Sequence, residues 1–427
     1  MPFDSGQKPR VAIVGGGISG LAASWCLRDR ARVTLFDAAP RLGGHARTVM
    51  AGRRGDQPVD TGFIVFNRVN YPNMVRMFTD LDVPIADSDM SFAASFDGGR
   101  FEYGLRDLGA VFAQKRNAFD PRFLRMIRDI LRFNARALDT VRPGQSLGDL
   151  LADLGTGAWF RDRYLLPLSG AIWSTPAQGI LDFPASSLIR FFDNHALLHH
   201  TGQHKWLTVK GGSIEYVQRL EAALRASGVT IRTGAPVRAV TRDPHPTVTL
   251  DGAAPEQFDD VILAVHSDDA LALLSDPSQE ERSALEGIRY QSNTMVLHSD
   301  ARQMPTRRKV WSAWNYRAPD GPAPDRIDLT YWMNALQPIP KDDPLFVTLN
   351  ATGDIAPDLI YDTCDFRHPV YDTAAEAGRA AIRALNGTRN TWFCGAWMRD
   401  GFHEDGFASA VAVVDALSDR MAQRAPV

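Results

Sequence analysis

Near the amino terminus, the spacing of apolar positions changes twice within residues 10–37, RVAIVGGGISGLAASWCLRDRARVTLFD. The apolar run at 11–14 predicts a buried strand, and residues 21–28 have the spacing of a helix. A second β-rich run ends at Asp37. Glycines separate the first strand from the helix. The pattern therefore predicts strand, glycine turn, helix and strand, which is the opening unit of a parallel sheet.

The glycines of this turn have the spacing G-x-G-x-x-G, and each has a separate task in a dinucleotide site. Gly15 permits the tight turn, Gly17 lets a pyrophosphate approach the backbone, and Gly20 lets the helix pack closely on the strand. Ile18 and Ser19 lie just before the predicted helix and are also candidate cofactor contacts, because free N–H groups and a positive dipole end at a helix start favour phosphate. The turn therefore predicts a phosphate site.

An acidic residue ends the second strand, as a dinucleotide site requires. Asp37, followed by Ala38, stands near the offset at which a carboxylate accepts hydrogen bonds from the ribose hydroxyls. A carboxylate here would repel a 2′-phosphate. The alternative is a glycine turn that binds nothing, and the two flanking strands and the acid disfavour it.

A second glycine pair follows the acid in residues 41–48, RLGGHART, and residues 60–63, DTGF, come next. A nicotinamide dehydrogenase has no use for a second glycine turn at this place. The arrangement resembles the flavin amine oxidase superfamily, in which the pair runs alongside the FAD pyrophosphate. The resemblance implies FAD, with Arg41 and Arg47 either as phosphate partners or as solvated surface charges. The other cofactor contacts that it implies here are Gly43, Gly44, His45, Thr61, Gly62 and Phe63.

Two later segments extend the resemblance. After residues 208–213, TVKGGS, a helix and strands follow, and Val237 stands where the superfamily's strand passes the adenine or, alternatively, where a sheet core needs valine. Residues 391–417 predict a strand, a glycine and a helix. In the superfamily the backbone N–H groups of that helix face the flavin ring and stabilise its negative charge. The implied cofactor contacts here are Gly395, Ala396, Glu404, Asp405, Gly406 and Phe407.

The resemblance covers nearly the whole chain and implies a fold of α/β plus α+β class. A Rossmann-like FAD-binding domain with the GG motif takes residues 1–75, 205–289 and 385–427. A substrate domain of antiparallel sheet and helices takes residues 76–204 and 290–384. Strand-like segments such as TMVLHSD and PLFVTLN suit that second sheet.

Composition and charge exclude several classes of protein. The 427 residues carry a net charge of −3, which gives no reason to expect nucleic acid as a partner. The three cysteines lack the spacing of a disulfide framework or a zinc site. Residues 1–10, MPFDSGQKPR, are too short and polar for us to expect a signal peptide, and no run of about 18 apolar residues is present in the sequence. We therefore expect a cytoplasmic protein whose contact with the inner membrane, if any, is peripheral.

One predicted helix, over residues 121–139, is strongly basic. It begins with proline in its first turn. Residues 115–142 carry eight basic residues against three acidic ones, a local charge of +5 in a chain that is acidic overall. A basic amphipathic helix can lie on an anionic membrane surface. Alternatively, it covers a core and exposes its arginines to water.

Aromatic residues and histidines are concentrated in residues 163–206. His195, His199, His200 and His204 suggest a metal site, but no carboxylate or cysteine stands at ligand spacing, so we predict none. We expect these segments to line an apolar substrate cavity or to belong to the core. The predicted substrate contacts are Trp173, Phe192, His195, Trp332, Trp397 and Phe402.

The chain departs from the amine oxidase pattern in three places. Those enzymes commonly hold a lysine near flavin N5, and the corresponding strand here, at 290–296, has none. Ala396 and Trp397 stand where a glutamate often follows the glycine. Phe402 matches only one of the paired tyrosines that bracket an amine. These departures weaken the assignment of amine oxidase activity, but they do not affect the assignment of FAD as the cofactor.

The segments DTGFIVFN, AIWSTP, YWMN and GFHEDG are similar to a bacterial branch described as predicted NAD/FAD-binding proteins. That branch resembles the flavin region of plant cyclopropane fatty acid synthases, and its members often accompany lipid methyltransferases. Some are implicated in desaturating methyl-branched acyl chains on the way to furan fatty acids. The resemblance implies dehydrogenation of a long lipid or fatty acyl chain, with a lipid methyltransferase as a candidate partner.

A proton must leave when a C–C bond becomes a double bond. His403 and Glu404 are the candidate bases beside the ring-facing helix, although both could merely hydrogen-bond or cap that helix. His45 could anchor the flavin covalently. Three other functions stay open: an amine or polyamine oxidase, an isomerase that uses FAD without net redox, and a flavin-bearing accessory subunit of a methyltransferase.

Overall fold

The structure, a computed structural model, describes residues 8–173, 177–199, 203–318 and 326–424. Within them the strands are β1 Arg10–Val14, β2 Arg32–Phe36, β3 Thr48–Ala51, β4 Gln57–Asp60, β5 Val65–Asn67, β6 Ile85–Asp87, β7 Phe92–Phe96, β8 Phe101–Gly104, β9 Trp206–Val209, β10 Thr230–Arg232, β11 Val237–Thr241, β12 Thr247–Leu250, β13 Glu256–Gln257, β14 Asp260–Leu263, β15 Tyr290–His298, β16 Trp314–Ala318, β17 Asp328–Trp332, β18 Phe346–Leu349, β19 Ile360–Pro369 and β20 Thr391–Phe393. The helices are α1 Ile18–Leu27, α2 Pro72–Asp80, α3 Leu108–Val111, α4 Pro121–Thr140, α5 Leu147–Leu154, α6 Ala158–Phe160, α7 Leu166–Trp173, α8 Ala177–Ile180, α9 Ala185–Asn194, α10 Ile214–Ala226, α11 Ser267–Leu273, α12 Gln279–Glu286, α13 Met333–Leu336, α14 Thr373–Leu385 and α15 His403–Arg424.

A five-stranded sheet has the order β10-β2-β1-β14-β20, and all of its neighbouring strands are parallel. Its central strands β1 and β14 are runs of valine, isoleucine and leucine that are buried on both faces, as a parallel sheet covered by helices requires. Helix α1 connects β1 to β2. The glycine turn therefore lies at the carboxyl end of a central strand, where such sheets bind their ligands. This confirms the predicted Rossmann-like domain.

A seven-stranded sheet has the order β19-β15-β18-β17-β16-β7-β8. Its neighbouring strands are antiparallel except for β16 and β7, which are parallel. Helices α4, α5, α7 and α9 form an aromatic-rich core on one face. The hairpin of β3 and β4 packs with α13 on the other face. The predicted substrate domain of antiparallel sheet and helices is confirmed, with one parallel pair added.

Packing assigns two helices differently from the predicted domain boundaries. The boundary after residue 75 falls inside α2, whose Met74 and Phe78 are buried in the core of the parallel-sheet domain. The boundary at 384 cuts α14 away from the same domain, although Ile382 packs against the other face of the parallel sheet. The apolar face of a helix decides which domain it joins, and the order of segments along the chain does not reveal that choice.

The predicted basic helix is α4. The Asp120 carboxylate accepts a hydrogen bond of 2.9 Å from the Arg122 backbone N–H, which satisfies one of the free donors at the helix start. Proline at position 121 follows the cap and needs no such partner. No helix in the described ranges combines the length and the apolar character needed to cross a bilayer.

Candidate active site

One elongated cavity of about 560 Å³ connects the glycine turn after β1 with the seven-stranded sheet. Its first part, which we call the cofactor half, is lined by Gly15, Gly17, Ile18, Ser19, Asp37, Gly44, His45, Thr61, Gly62, Phe63, Gly395 and Ala396. Its second part, the substrate half, is lined mainly by apolar and aromatic side chains, among them Met90, Phe92, Leu168, Ile172, Trp173, Phe191, His195, Leu197, Trp206, Trp314, Tyr331, Leu349, Phe366 and Phe402. Most of the predicted cofactor residues thus meet at one end of one cavity.

The first glycine turn is held by close backbone contacts. Gly15 has a φ of +106°, and its N–H donates to the Phe36 carbonyl at 2.8 Å. A Cβ on Gly20 would lie 1.8 Å from the Gly15 carbonyl oxygen, so only glycine lets α1 begin this close to the strand. A Cβ on Gly17 would meet nothing in the described chain nearer than the Gly44 Cα, at 4.0 Å. The space over Gly17 is therefore open to a ligand.

The second glycine pair lies against the first turn. Gly43 and Gly17 form an isolated parallel β-bridge, and a Cβ on Gly44 would lie 3.0 Å from the Gly17 Cα. A Cβ on Gly62 would lie 2.0 Å from the His45 carbonyl oxygen. These contacts bring three separate segments together at the carboxyl end of β1.

Asp37 lies on the cavity wall at the end of β2. Its carboxylate oxygens accept hydrogen bonds from the backbone N–H groups of Gly16, at 2.6 Å, and Ala39, at 2.7 Å. Burial raises its pKa, although these two bonds oppose the shift. The carboxylate orders the glycine turn and keeps lone pairs for ribose hydroxyls, since each oxygen can accept two bonds.

Two other predicted cofactor residues lie away from the cavity. Ala38 is exposed beside Asp37. Val237 opens β11, pairs with Leu250 in a separate three-stranded sheet and packs on a neighbouring core. The structure therefore favours the sheet-core interpretation of Val237 over a contact with the adenine.

The two predicted phosphate partners are engaged elsewhere. Arg41 donates to carbonyl oxygens within residues 42–46 and so braces the second glycine turn. Arg47 forms a two-pronged ion pair with Asp362 of β19, at 2.5 and 3.0 Å. Neither side chain lines the cavity. The structure does not support the phosphate contacts that charge alone predicted, because internal acceptors already satisfy both guanidinium groups.

Glu404 faces α2 rather than the cavity. Its carboxylate accepts hydrogen bonds from the backbone N–H and side-chain amide of Asn73 and from the backbone N–H of Met74, at 2.6 to 3.1 Å. It therefore satisfies free donors at the start of α2. The structure does not support the predicted roles of Glu404 as a base or a flavin contact, because the helix uses both of its oxygens.

The next three residues of α15 also point away from the cavity. Asp405 accepts a hydrogen bond of 2.9 Å from the Phe402 backbone, and burial raises its pKa to about 7. A Cβ on Gly406 would lie 2.8 Å from the Ser19 hydroxyl, so glycine allows α15 to approach α1. Phe407 is buried in the core between these helices. All three serve the packing that positions the cavity wall rather than lining it.

His403 is the predicted base that lies on the cavity wall. Its ring stacks on Phe63, with centroids 4.0 Å apart and planes inclined by 8°. Its Nε2 lies 3.0 Å from the Tyr216 hydroxyl. Burial, with a smaller contribution from nearby His45, lowers the pKa of His403 to about 3. The imidazole is therefore neutral and held in one orientation by two aromatic neighbours.

Three histidines meet on the cavity wall where the two halves join, and the sequence did not predict this group. His45 has ring centroids 5.8 Å from both His266 and His368 and stacks on Phe366. Burial lowers the pKa of His45 and His266 to about 4 and that of His368 to about 3. His266 follows the carboxyl end of β14, and parallel sheets bind their ligands at that edge. Its place in the sequence could therefore have indicated a residue of the site. Nothing in the sequence pointed to His368.

Phe191 is the centre of the aromatic wall in the substrate half. Its ring centroid lies 3.9 Å from that of His195, 4.7 Å from that of Trp173 and 5.0 Å from that of Phe402. Trp397 also lines the cavity, and its indole N–H is held by a backbone carbonyl at 3.0 Å. Four of the six predicted substrate residues thus border the cavity.

The other two predicted substrate residues are each one position away from a residue that lines the cavity. Phe192 is buried in the core of the α4–α9 helices, whereas Phe191 lines the cavity. Trp332 packs against Trp311, whereas Tyr331 lines the cavity. Successive side chains of a strand point to opposite faces, and successive side chains of a helix point in different directions. The structure therefore places each of these two side chains off the cavity wall by one residue.

The histidines considered as metal ligands do not converge, so far as the described residues show. His195 lines the cavity, and its Nδ1 lies 2.9 Å from a backbone carbonyl of α9. His199 is exposed, and His204 bonds to another carbonyl of α9 at 3.0 Å. His200 lies outside the described residues, as does the segment 174–176.

Residues 18–343 match the family described as flavin containing amine oxidoreductase. The chain belongs to this family. It is an FAD-dependent oxidoreductase with an amine oxidase-like fold, which the resemblance of its glycine motifs implied.

This flavin amine oxidoreductase is similar to several known proteins. Coproporphyrinogen III oxidase of Mycobacterium tuberculosis is 42% identical over 73 residues, which is 16% of this chain and only 15% of that protein's length. The crystal structure of a CLA-producing fatty acid isomerase from P. acnes has a TM-score of 0.67 at 15% identity and covers 98% of this chain and 99% of its own. The structure of cyclohexylamine oxidase from Brevibacterium oxydans has a TM-score of 0.67 at 13% identity and covers 96% of this chain and 100% of its own. At such identities the two structures show a shared fold alone.

The cofactor half of this flavin amine oxidoreductase fits FAD. The turn over Gly17 is open, and an acid stands at the end of β2. Farther along the cavity wall, His45 Nε2, His266 Nδ1 and the Tyr371 hydroxyl are buried without a hydrogen-bond partner among the described residues. Buried polar atoms nearly always have partners, so these three point to a polar ligand. The turn at 15–20, Asp37 and the segment around Gly44 would hold the dinucleotide.

Proposed function

We propose that this protein desaturates a long apolar acyl chain of a fatty acid or lipid. The methyl-branched acyl chains suggested by its sequence resemblance are the preferred substrates. The amine oxidoreductase family includes the chain, but the acyl specificity is our inference from the substrate half of the cavity.

The observation that carries this proposal is the chemistry of the cavity wall. In the described ranges only three carboxylates line the cavity, Asp37, Asp269 and Asp400. Asp37 binds the glycine turn, and Asp269 pairs with Arg367 at 2.5 Å. Asp400 lies where the cavity meets a second cavity of about 680 Å³, whose carboxylates stand among four arginines. A buried ammonium substrate needs a close counter-charge, whereas an acyl chain needs the apolar wall that is present.

A desaturation breaks one C–H bond on each of two adjacent carbons and forms a double bond. FAD, when bound, supplies the hydride acceptor, and the two electrons then pass to oxygen or another acceptor. The remaining proton needs a neutral base beside the chain. His403 is neutral, lies on the wall and is oriented by Tyr216 and Phe63. The apolar wall would exclude water from the reacting carbons.

Purified flavin-loaded protein incubated with total bacterial lipid under air tests the proposal. We expect mass spectrometry to find acyl species that have lost two hydrogens, with consumption of oxygen or of an added electron acceptor. A panel of amines serves as the comparison. Hydrogen peroxide release from an amine, without any change in the lipids, would make the protein an amine oxidase instead.

A second candidate is isomerisation of an unsaturated acyl chain. The P. acnes protein that shares the fold over 98% of this chain is a fatty acid isomerase. An isomerase would move a double bond without changing the mass of the acyl chain and without consuming an acceptor. The same incubation, run without oxygen or another acceptor, separates the two reactions.

A further inference from the structure

Exposed apolar side chains are concentrated in one short part of the chain. In the described ranges ten large hydrophobic residues are exposed, and six of them lie between residues 105 and 138. The six are Leu105, Leu108, Phe119, Leu124, Leu131 and Leu138. Single exposed apolar residues are ordinary, but a concentration of them marks an interaction surface.

Three of these leucines form a stripe along α4. Leu124, Leu131 and Leu138 are 46%, 48% and 46% exposed. They are seven residues apart, which is nearly two helical turns, so they share one face of the helix. A different face is buried in the core through Phe123, Met126, Phe133 and Ala137. Helix α4 therefore has two apolar faces, and the described chain covers only one of them.

Helix α4, which carries the leucine stripe, lies in a strongly basic segment of the chain. Residues 115–142 carry eight basic residues against three acidic ones. Asp120 caps the helix and pairs with a neighbouring arginine, and Asp129 is buried. Asp139 is exposed directly after Leu138 and offsets one of the positive charges, whereas Arg125 and Arg136 are also exposed on α4. The α4 surface, by which we mean the three leucines of the stripe with these two arginines, is thus both apolar and cationic.

We propose that the α4 surface docks on an anionic lipid bilayer. Leucines of this kind enter the boundary between headgroups and acyl chains, and arginines interact with the lipid phosphates. A bilayer offers an apolar layer and a sheet of negative charge at once. A second copy of the chain is a poorer partner, because two-fold pairing would bring the cationic helices together. This inference concerns binding alone and stands apart from the proposed reaction.

Vesicle flotation of the purified flavin-loaded protein tests the docking surface. We expect the protein to float with vesicles of phosphatidylcholine mixed with phosphatidylglycerol, to bind phosphatidylcholine alone much less, and to dissociate as salt is added. The triple variant L124S/L131S/L138S removes the apolar stripe, and the double variant R125Q/R136Q removes exposed charge. Each should weaken binding by roughly tenfold or more.

The double variant M50S/I360S is the matched control. It removes two exposed apolar residues that are far from α4 in the sequence, and it should bind as the wild type does. Circular dichroism establishes that each variant is folded. Failure of the wild type to bind the anionic vesicles, or undiminished binding by the leucine variant, would overturn the proposal. So would light scattering that finds a dimer which the leucine variant dissociates, because the stripe would then join two copies.

Discussion

The two halves of the cavity are built in different ways. In the cofactor half the decisive contacts are between backbone atoms, as where α1 passes over Gly15 and where Gly62 lies under His45. In the substrate half the wall consists of side chains from α7, α9 and the seven-stranded sheet, such as Phe191 and Tyr331. Close backbone contacts admit only glycine and so leave a pattern in the sequence. An apolar wall can be built from many combinations of side chains.

The largest effect is expected from breaking a backbone contact in the cofactor half. Gly20→Ala would place a methyl group 1.8 Å from the Gly15 carbonyl oxygen, and neither β1 nor α1 can yield by that distance without repacking. We expect that variant to be unfolded or free of flavin. Gly17→Ala adds the same methyl group where the nearest described atom is 4.0 Å away. We expect it to fold and to lose most of its FAD, because the methyl group blocks the pyrophosphate.

Two measurements distinguish the expected results for the Gly17 and Gly20 variants. Flavin absorbance per protein reports the cofactor, and circular dichroism reports the fold. The Gly17 variant is the sharper test, because nothing in the described chain resists its methyl group. If it retains FAD at the wild-type ratio, the pyrophosphate does not approach this turn, and our account of the cofactor half is wrong.

The next largest effect concerns the place where the halves meet. His403→Gln should lower turnover by about 10²- to 10⁴-fold, the range typical for loss of a general base, while FAD stays bound. Glu404→Gln is the matched control, one residue along, and should keep turnover because its carboxylate serves α2. Turnover with the acyl substrate and flavin absorbance are measured for both. Equal losses in the two variants would contradict the assignment of the base to His403.

Neighbouring phenylalanines on α9 sharpen the comparison inside the substrate half. Phe192→Ala should lower the free energy of unfolding by about 3–5 kcal/mol, because it empties a packed core site. Phe191→Ala should destabilise the protein less but raise KM for a long acyl chain, because it removes the centre of the cavity wall. Urea unfolding and KM measurements make the test. A KM that changes more for Phe192 than for Phe191 would reverse our assignment of their faces.

The same contrast explains what could be predicted from the sequence. The glycine turns followed from residues that backbone geometry dictates, and the fold class and FAD followed from the family resemblance that those turns carry. Phe192 and Trp332 were each one residue away from the cavity wall, since aromatic composition does not say which way a side chain points. The ion pair of Arg47 could not be foreseen because its partner, Asp362, is distant in the sequence. The sequence named His45 and offered a signal for His266, but it could not predict that these two meet His368, since only the packing of the two sheets brings them together.

The smallest effect is a pH dependence that should be nearly absent. An ordinary histidine base has a pKa near 6.5 and loses activity as pH falls through that value. Burial lowers the pKa of His403 to about 3, so its neutral, proton-accepting form predominates above that pH. We therefore expect kcat/KM to show no loss assignable to His403 between about pH 8 and about pH 5. Burial raises the pKa of Asp405 to about 7. Asp405→Asn should therefore remove any change in activity that is centred near that pH. Burial also raises the pKa of Asp60 to about 6. A loss of activity centred near pH 6.5 that persists in both Asp405→Asn and Asp60→Asn would show that water reaches His403 and that the wall around it is not dry.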